Sequence, residues 1–585
     1  MIPPTTNPSP IGPSSFARLA CLLVATLAAA SCLLSPPVDP VHATPVAEEK
    51  PGLAAALEAA FAATAPLGVD ATPVDMDALR TFYEERGFAP LWVGGAGAVD
   101  ERGRAVAAVL ADAGSEGLDP RHYHAGAIAR LLDASAAQEL VRLELMISDG
   151  VLRYSEHQAR GVSPPGPGHR EMASDRPDVD PLETLLAIAN APDPAAHLRA
   201  LAPASPEYRR LRDALGLYRK VEKEGGWPTI PDGPTLRVGA SDARVAIVRR
   251  RLALDGDNGA GATRSTKYDT ALAAAVRRFQ ERNGIGADGS LGATTRTALN
   301  VPVRHRIEQI TVNMERWRWL GPGLGERYVK VNVPAFTLEM VHGGETMLSM
   351  PVVVGKPTWR TPLFSSEIRH VVFNPSWFVP PKIARDEILP KARADATYLS
   401  REGYVVRRVS LPPPPTANGD LGESEVPRPV AREILRLRQP PGPKNPLGRV
   451  KFEMPNPFGV YLHDTPSRRA FSRPSRALSH GCVRLGKALT LADALMMQVE
   501  GWSEQRRDRV LAGWKTRTIA LPNPVPVHVL YETAWSDASG ALHFRADLYG
   551  RDDDLKRQMA ESRLVRPSSI ARQQADPAQP PIALP

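Results

Sequence analysis

The chain is 585 residues long; at roughly 150 residues per domain that suggests about four domains, or fewer with long linkers, and excludes one compact unit. Hydrophobic residues are 43% and charged residues 23% of the total, ordinary globular values that exclude wholesale disorder, while 45 glycines and 58 prolines demand substantial irregular loops. The net charge of +8 is spread without long like-charged runs; it is a weak argument for nucleic acid, no such partner is expected, and an anionic surface or polymer suits it equally well.

Residues 1–18 are polar and proline-rich and end in Arg18, and Leu19 to Leu34 is an uninterrupted apolar run. That run is short of the roughly 20 residues needed to span a bilayer, and Val41-His42-Ala43 offers a small-residue cleavage site, so residues 1–43 are expected to be an export signal. An uncleaved membrane anchor and lipidation at Cys32 are the alternatives. Two of the three cysteines, Cys21 and Cys32, lie inside this segment. An exported mature chain would keep only Cys482, which can form no internal disulfide and therefore needs a reason to exist.

From residue 48 to about 230 the text is Ala/Leu-rich with helical spacing, the strongest helix being LELMISDGVLRYSEHQARG, and it reads as a helical scaffold without chemistry of its own. Over 237–302, apolar residues at Val245, Val248 and Leu252 and at Leu272, Val276 and Phe279 mark two helices, and a Gly-rich turn leads to a third near Thr294. This segment resembles the small three-helix peptidoglycan-binding module. Asp269, Phe279, Gln280 and Asp288 are the matching positions, expected to hold the fold more than to touch glycan. After a linking helix, IEQITVNMERWRW, the period changes to two: RYVKVNVPAFTLEMVHGGETMLSMPVVVG reads as strands around Gly343-Gly344, and further β-branched runs follow to VPVHVLYETAW. Residues 382–448 interrupt this β-rich half with a helix-like stretch and the run LPPPPTANGDLGESEVPRP, an insertion that reads either as a lid or as a surface excursion.

Chemistry concentrates in YLHDTPSRRAFSRPSRALSHGCVRL, where His463 precedes Ser479-His480-Gly481-Cys482-Val483-Arg484. A thiol attacks as thiolate, and an imidazole can take its proton and return it to a leaving amine, so Cys482 and His463 suffice for acyl transfer. The glycine permits a tight backbone whose amides could face a developing oxyanion. Two other readings remain from the residues alone: a cysteine that is merely buried, and a zinc site of His463, His480 and Cys482, for which no second cysteine or paired-histidine spacing exists.

The pattern of a histidine followed by Ser-His-Gly-Cys-Val-Arg, with VGKPTWRTPLF, FNPSWFVPP, KNPLGRVKFEMPNPFGVYLHDTP and PNPVPVHVLYETAW, resembles the L,D-transpeptidase family with its YkuD-type catalytic domain, in particular its large periplasmic members. The resemblance implies a multidomain α+β architecture: a helical scaffold (48–230), the peptidoglycan-binding module (237–302), a β-rich catalytic domain (325–550) with 382–448 as a capping insertion, and a C-terminal tail (551–585). It implies Cys482 as nucleophile, His463 as base oriented through a backbone carbonyl, and the amides of Gly481 and Cys482 as the oxyanion hole. Tyr461, Trp377, Arg484, Ser479 and His480 would line the substrate site, Arg484 suiting a substrate carboxylate. The implied reaction joins peptidoglycan stem peptides between third-position diaminopimelate residues, releasing D-Ala, in the periplasm and without metal or cofactor. Hydrolysis of the same bond, and a wall-binding scaffold with an inert catalytic half, are the rival readings.

Overall fold

The computed structural model describes residues 52–562 other than 64–72, 96, 164, 166–178, 258, 260–263, 322, 412–431 and 538. The expected export segment, the end of the C-terminal tail and the proline-rich middle of the insertion lie outside the described residues. Among the described residues no helix is long and apolar enough to cross a membrane.

The N-terminal region builds around the 24-residue helix Ala137–Arg160, most of whose side chains are buried. Leu57, Phe82, Val106, Leu143, Ile147 and Leu198 share its core. The helix carries Glu144 into that core because the carboxylate is satisfied there, accepting from the Leu91 and Trp92 amides and from the Tyr83 hydroxyl. Three of the helices in this half, Pro181–Asn190, Pro194–Ala200 and Pro206–Lys223, start the same way. Asp180, Asp193 and Ser205 each accept the amide of the third helical residue, and a proline supplies the preset φ of the first turn.

Two elements pack across the expected boundaries. Helix Pro206–Lys223 falls within the stretch assigned to the N-terminal scaffold, yet Tyr208, Leu211, Leu215 and Tyr218 share one core with the linking helix Val303–Arg318 and the C-terminal sheet. Its apolar stripe faces that helix while Tyr208 donates to Glu116, so it joins the scaffold to the C-terminal half. The expected tail after residue 550 begins as helix Arg551–Glu561. Leu555 packs with Val312 and Trp319, and Asp552 pairs with Arg316 at 2.7 Å.

The middle module consists of helices Arg244–Leu254, Thr270–Arg282 and Ala293–Leu299. Asp269 caps the second by accepting the Leu272 amide, and Phe279 is buried. The Gln280 side chain bonds Asp288, Ser290, Thr295 and Gly289. These four positions therefore hold the module together from inside.

The C-terminal half is a nine-stranded sheet of β1 (Arg327–Asn332), β2 (Thr337–His342), β3 (Glu345–Gly355), β4 (Phe364–Phe373), β8 (Val450–Glu453), β9 (Leu462–His463), β10 (Ala477–Ser479), β11 (Val483–Leu485) and β12 (Arg517–Leu530). Their spatial order is β10-β3-β11-β9-β8-β4-β12-β1-β2. Strand β2 also pairs with β3, which closes eight strands into a ring. Just ahead of the insertion, β5 (Trp377–Phe378) forms a separate sheet with the insertion's β6 (Val405–Leu411) and β7 (Arg432–Gln439), ordered β5-β7-β6. Short helical turns from Pro381 to Arg401 pack on it through Ile388, Val379 and Leu437.

Candidate active site

Side chains two apart on a strand share a face, and the register of four neighbouring strands fixes what the candidate residues meet. In β9 and β11, which run parallel, Leu462 lies opposite Val483 and His463 opposite Arg484. In β8 and β9, Lys451 lies opposite His463. In β8 and β4, Lys451 faces Val372 and Glu453 faces His370. Cys482 at the mouth of β11, with Tyr461, His463, Arg484, Lys451, Glu453 and His370, therefore stands on one face, while Val450, Phe452, Leu462, Val483 and Leu485 point into the core. His463 and Cys482 are diagonal neighbours on these two parallel strands and share a face.

His463 is 4% exposed and its Nδ1 donates to the Asp464 carbonyl at 2.5 Å, which leaves Nε2 as a proton acceptor. Burial first, and then the Arg484 charge, push its pKa down to about 3, so the ring is neutral at ordinary pH. The Asp464 carboxylate points elsewhere. It accepts the Arg449 amide at 2.8 Å and the Arg468 guanidinium at 2.5 Å, and so braces the strand end without touching the imidazole.

Cys482 is partly exposed, and burial raises its thiol pKa despite the lowering influence of Tyr461, Arg484 and Lys451. Burial first, and then the neighbouring Cys482, raise the Tyr461 phenol pKa. Trp377 sits in β5 opposite Gln439 of β7, so the sheet that β5 shares with the insertion begins beside the Cys482 face. Arg484 has no carboxylate partner among the described residues.

The turn before Cys482 departs from expectation in two respects. Ser479 is 2% exposed, its hydroxyl donates to the Cys482 carbonyl at 2.6 Å, and it accepts the Gly481 amide at 3.2 Å. Ser479 thus shapes the turn and is too buried to contact substrate, and the Gly481 amide is engaged inside the turn instead of facing an incoming carbonyl. Gly481 adopts φ +111°, a region side chains avoid, and its carbonyl accepts from Thr361 at 2.8 Å. His480 bonds Glu387 of the insertion at 2.6 Å and meets the Trp359 ring at 4.9 Å. Lys382, also from the insertion, lies 4.0 Å over Trp359.

Lys451, Glu453, Trp359, Lys382 and Glu387 carry no signal of chemistry in the sequence. Alternation in Val450-Lys451-Phe452-Glu453 places two charges opposite the core face, but only the register shows which face carries the thiol.

Comparison with known proteins agrees with this architecture. Residues 326–511 match the L,D-transpeptidase catalytic domain, residues 241–299 the "Putative peptidoglycan binding domain", and residues 77–215 a scaffold domain. A Haemophilus influenzae protein named "Putative L,D-transpeptidase" is 35% identical over 227 residues, which is 38% of this chain and 44% of that protein. The match thus spans less than half the length of that relative. An L,D-transpeptidase from Mycobacterium smegmatis (14% identity, 35% of this chain and 58% of that one, TM-score 0.15) and one from Stackebrandtia nassauensis (14%, 52% and 96%, 0.20) are similar too weakly to carry an argument. The match to the L,D-transpeptidase catalytic domain thus covers about a third of the chain, and it follows the matches to a scaffold domain and to the putative peptidoglycan binding domain.

Proposed function

We propose that this protein is an exported L,D-transpeptidase that joins two peptidoglycan stem peptides between their third-position diaminopimelate residues. The observation that carries the reading is the shared face of Cys482, His463 and Tyr461, which presents a neutral imidazole and a protonated thiol on neighbouring strands. In the first half-reaction His463 Nε2 takes the thiol proton as sulfur bonds the carbonyl carbon of the donor's third residue. The bond to the terminal D-Ala breaks, and the same proton passes to the leaving amine. A thioester remains. In the second, the acceptor amine, having shed its extra proton to solvent, bonds the thioester carbon and gives a proton to His463. The carbon–sulfur bond breaks and the proton returns to sulfur.

The neutral state of His463 favours this general-base route over a standing thiolate–imidazolium pair. Arg484, cationic and free of a carboxylate partner among the described residues, suits the carboxylate of the donor stem. The Cys482 amide is left to polarise the carbonyl, with the Gly481 amide joining it once the Ser479 contact opens. The insertion over residues 382–448 acts as a cap that keeps water from the thioester, and Glu387 holds it to His480 in the turn before Cys482. A carbapenem, which presents a strained acyl centre of the same kind, would acylate Cys482. Incubation with a tetrapeptide muropeptide tests the function: free D-Ala with cross-linked dimer supports it, D-Ala with tripeptide alone makes the site a hydrolase, and no reaction makes the catalytic half inert.

A further inference from the structure

Between the N-terminal scaffold and helix Pro206–Lys223 lies a groove of ≈ 940 Å³, lined by none of the residues on the Cys482 face. That helix divides its sides by period. Tyr208, Leu211, Leu215 and Tyr218 fill the core shared with Val303–Arg318, while Arg212, Gly216, Arg219, Lys220 and Lys223 follow at helical spacing on another side and wall the groove. At 1.5 Å per residue this cationic stripe is about 16 Å long. Arg199, near the end of helix Pro194–Ala200, adds a cation from the scaffold.

Charge in the groove is unbalanced. Glu116 is already engaged, accepting the Tyr208 hydroxyl at 2.9 Å and the Arg212 guanidinium at 3.4 Å, and Asp213 lies 3.8 Å from the same guanidinium. Arg219 donates to the Gly114 carbonyl, and neither it nor Arg199, Lys220 or Lys223 has a carboxylate within ion-pair distance among the described residues. Four cations thus stand against one uncommitted carboxylate, Asp112. The middle of the stripe is also open. Gly216 sits in the interior of an 18-residue helix, where glycine is destabilising, and a Cβ there would meet nothing within 4 Å. Packing does not require this glycine; its effect is a clear floor between Arg212 and Lys220.

A groove of this size takes several residues or sugars, and its concave walls do not conform to a flat bilayer. Volume and sign together fit an extended chain that bears carboxylates. Peptidoglycan has that chemistry: a stem that ends at diaminopimelate keeps two carboxylates on that residue against one ammonium. We propose that the groove between the scaffold and helix Pro206–Lys223 is a non-catalytic binding site for peptidoglycan, taking the carboxylates of its stem peptides on Arg199, Arg219, Lys220 and Lys223. This rests on the transpeptidase reading for the identity of the polymer, while the binding itself is measured without turnover.

The test titrates the full chain carrying Cys482→Ala with three probes: soluble glycan chains bearing uncross-linked tripeptide stems, uncharged N-acetylglucosamine oligomers, and phosphatidylglycerol vesicles. Adding Lys220→Glu with Lys223→Glu is expected to raise Kd for the stem-bearing chains about tenfold, the size of two exposed contacts turned repulsive, and to flatten its rise between about 50 and about 300 mM salt. Gly216→Leu fills the floor without changing charge. It is expected to raise the same Kd about fivefold, roughly one hydrogen bond's worth, while the melting midpoint does not fall, because leucine is the better helix former. Weaker binding of stem-bearing chains in both proteins, with the uncharged oligomers bound as by the parent, supports the site. A Kd within twofold of the parent in either protein, or equal weakening toward the uncharged oligomers, overturns it. Vesicles bound more tightly than stem-bearing chains, and released by the charge reversal, would give the groove to a lipid surface and overturn it too. Stem-dependent binding that weakens in both proteins, in a chain that with Cys482 intact yields neither D-Ala nor dimer, would leave the site standing and remove the transpeptidase reading.

Discussion

Replacing His463 by Gln while varying pH separates general-base catalysis from a preformed ion pair. The imidazole is pushed down to about 3 by burial and by Arg484, so at pH 5 only about one molecule in a hundred carries a protonated ring. An imidazole left at its ordinary value near 6.5 would by then have lost about 97% of its neutral form. The wild-type rate of acylation by a carbapenem, followed by intact-mass spectrometry, should therefore change less than about threefold between pH 7 and pH 5. With the thiol raised above its usual 9.0, thiolate at pH 7 is at most about one part in a hundred. His463→Gln must rely on that fraction: acylation should fall about 10²- to 10⁴-fold at pH 7 and recover about tenfold per pH unit up to at least pH 9. The same depressed value bears on stability. Below pH 6.5 the unfolded chain takes up a proton that the native ring refuses, so the contribution, complete above 6.5, is lost as pH falls toward 3 and amounts to about 2 kcal/mol by pH 5. Denaturant melts should show that part of the acid sensitivity vanishing in His463→Gln. An acid limb in the wild type near pH 6.5, or a variant with a flat pH profile, would refute the reasoning.

Cys482→Ala should abolish the single carbapenem adduct seen by mass spectrometry and leave thermal stability within about 1 kcal/mol, because the thiol is partly exposed and fills little core. Tyr461→Phe removes the hydroxyl on the Cys482 face and should slow acylation roughly tenfold if the phenol donates to the reacting sulfur, about one hydrogen bond's worth, with folding retained; an unchanged rate would make that phenol a bystander. Glu387→Ala cuts the contact between insertion and His480, so the ratio of tripeptide to dimer made from a tetrapeptide muropeptide should rise severalfold, and an unchanged ratio would return the insertion to a surface excursion. Gln280→Ala removes a buried amide that serves Asp288, Ser290 and Thr295 and should cost the middle module about 1–3 kcal/mol, read as a lower melting midpoint.

The residues that sequence alone singles out are those whose meaning is local. A thiol beside a glycine, a histidine on the preceding strand, and a capped helix closed by Phe279 and Gln280 are fixed by chemistry, period and turn residues a few positions apart, and each stands where such a pattern puts it. Tertiary structure decided whatever depends on lateral neighbours. Lys451 joins His463 and Cys482 only because β8 pairs with β9 in one register; a slip of one residue would bury it and turn Phe452 outward. Helix Pro206–Lys223 shows a stripe that either half of the molecule could cover, and packing gave it to the sheet. The contact of Glu387 with His480, 93 residues apart, exists because the insertion folds back over the turn before Cys482. The Gly481 amide looks free in the sequence, yet a serine two residues earlier claims it, since a buried hydroxyl must find its partners where the turn brings them.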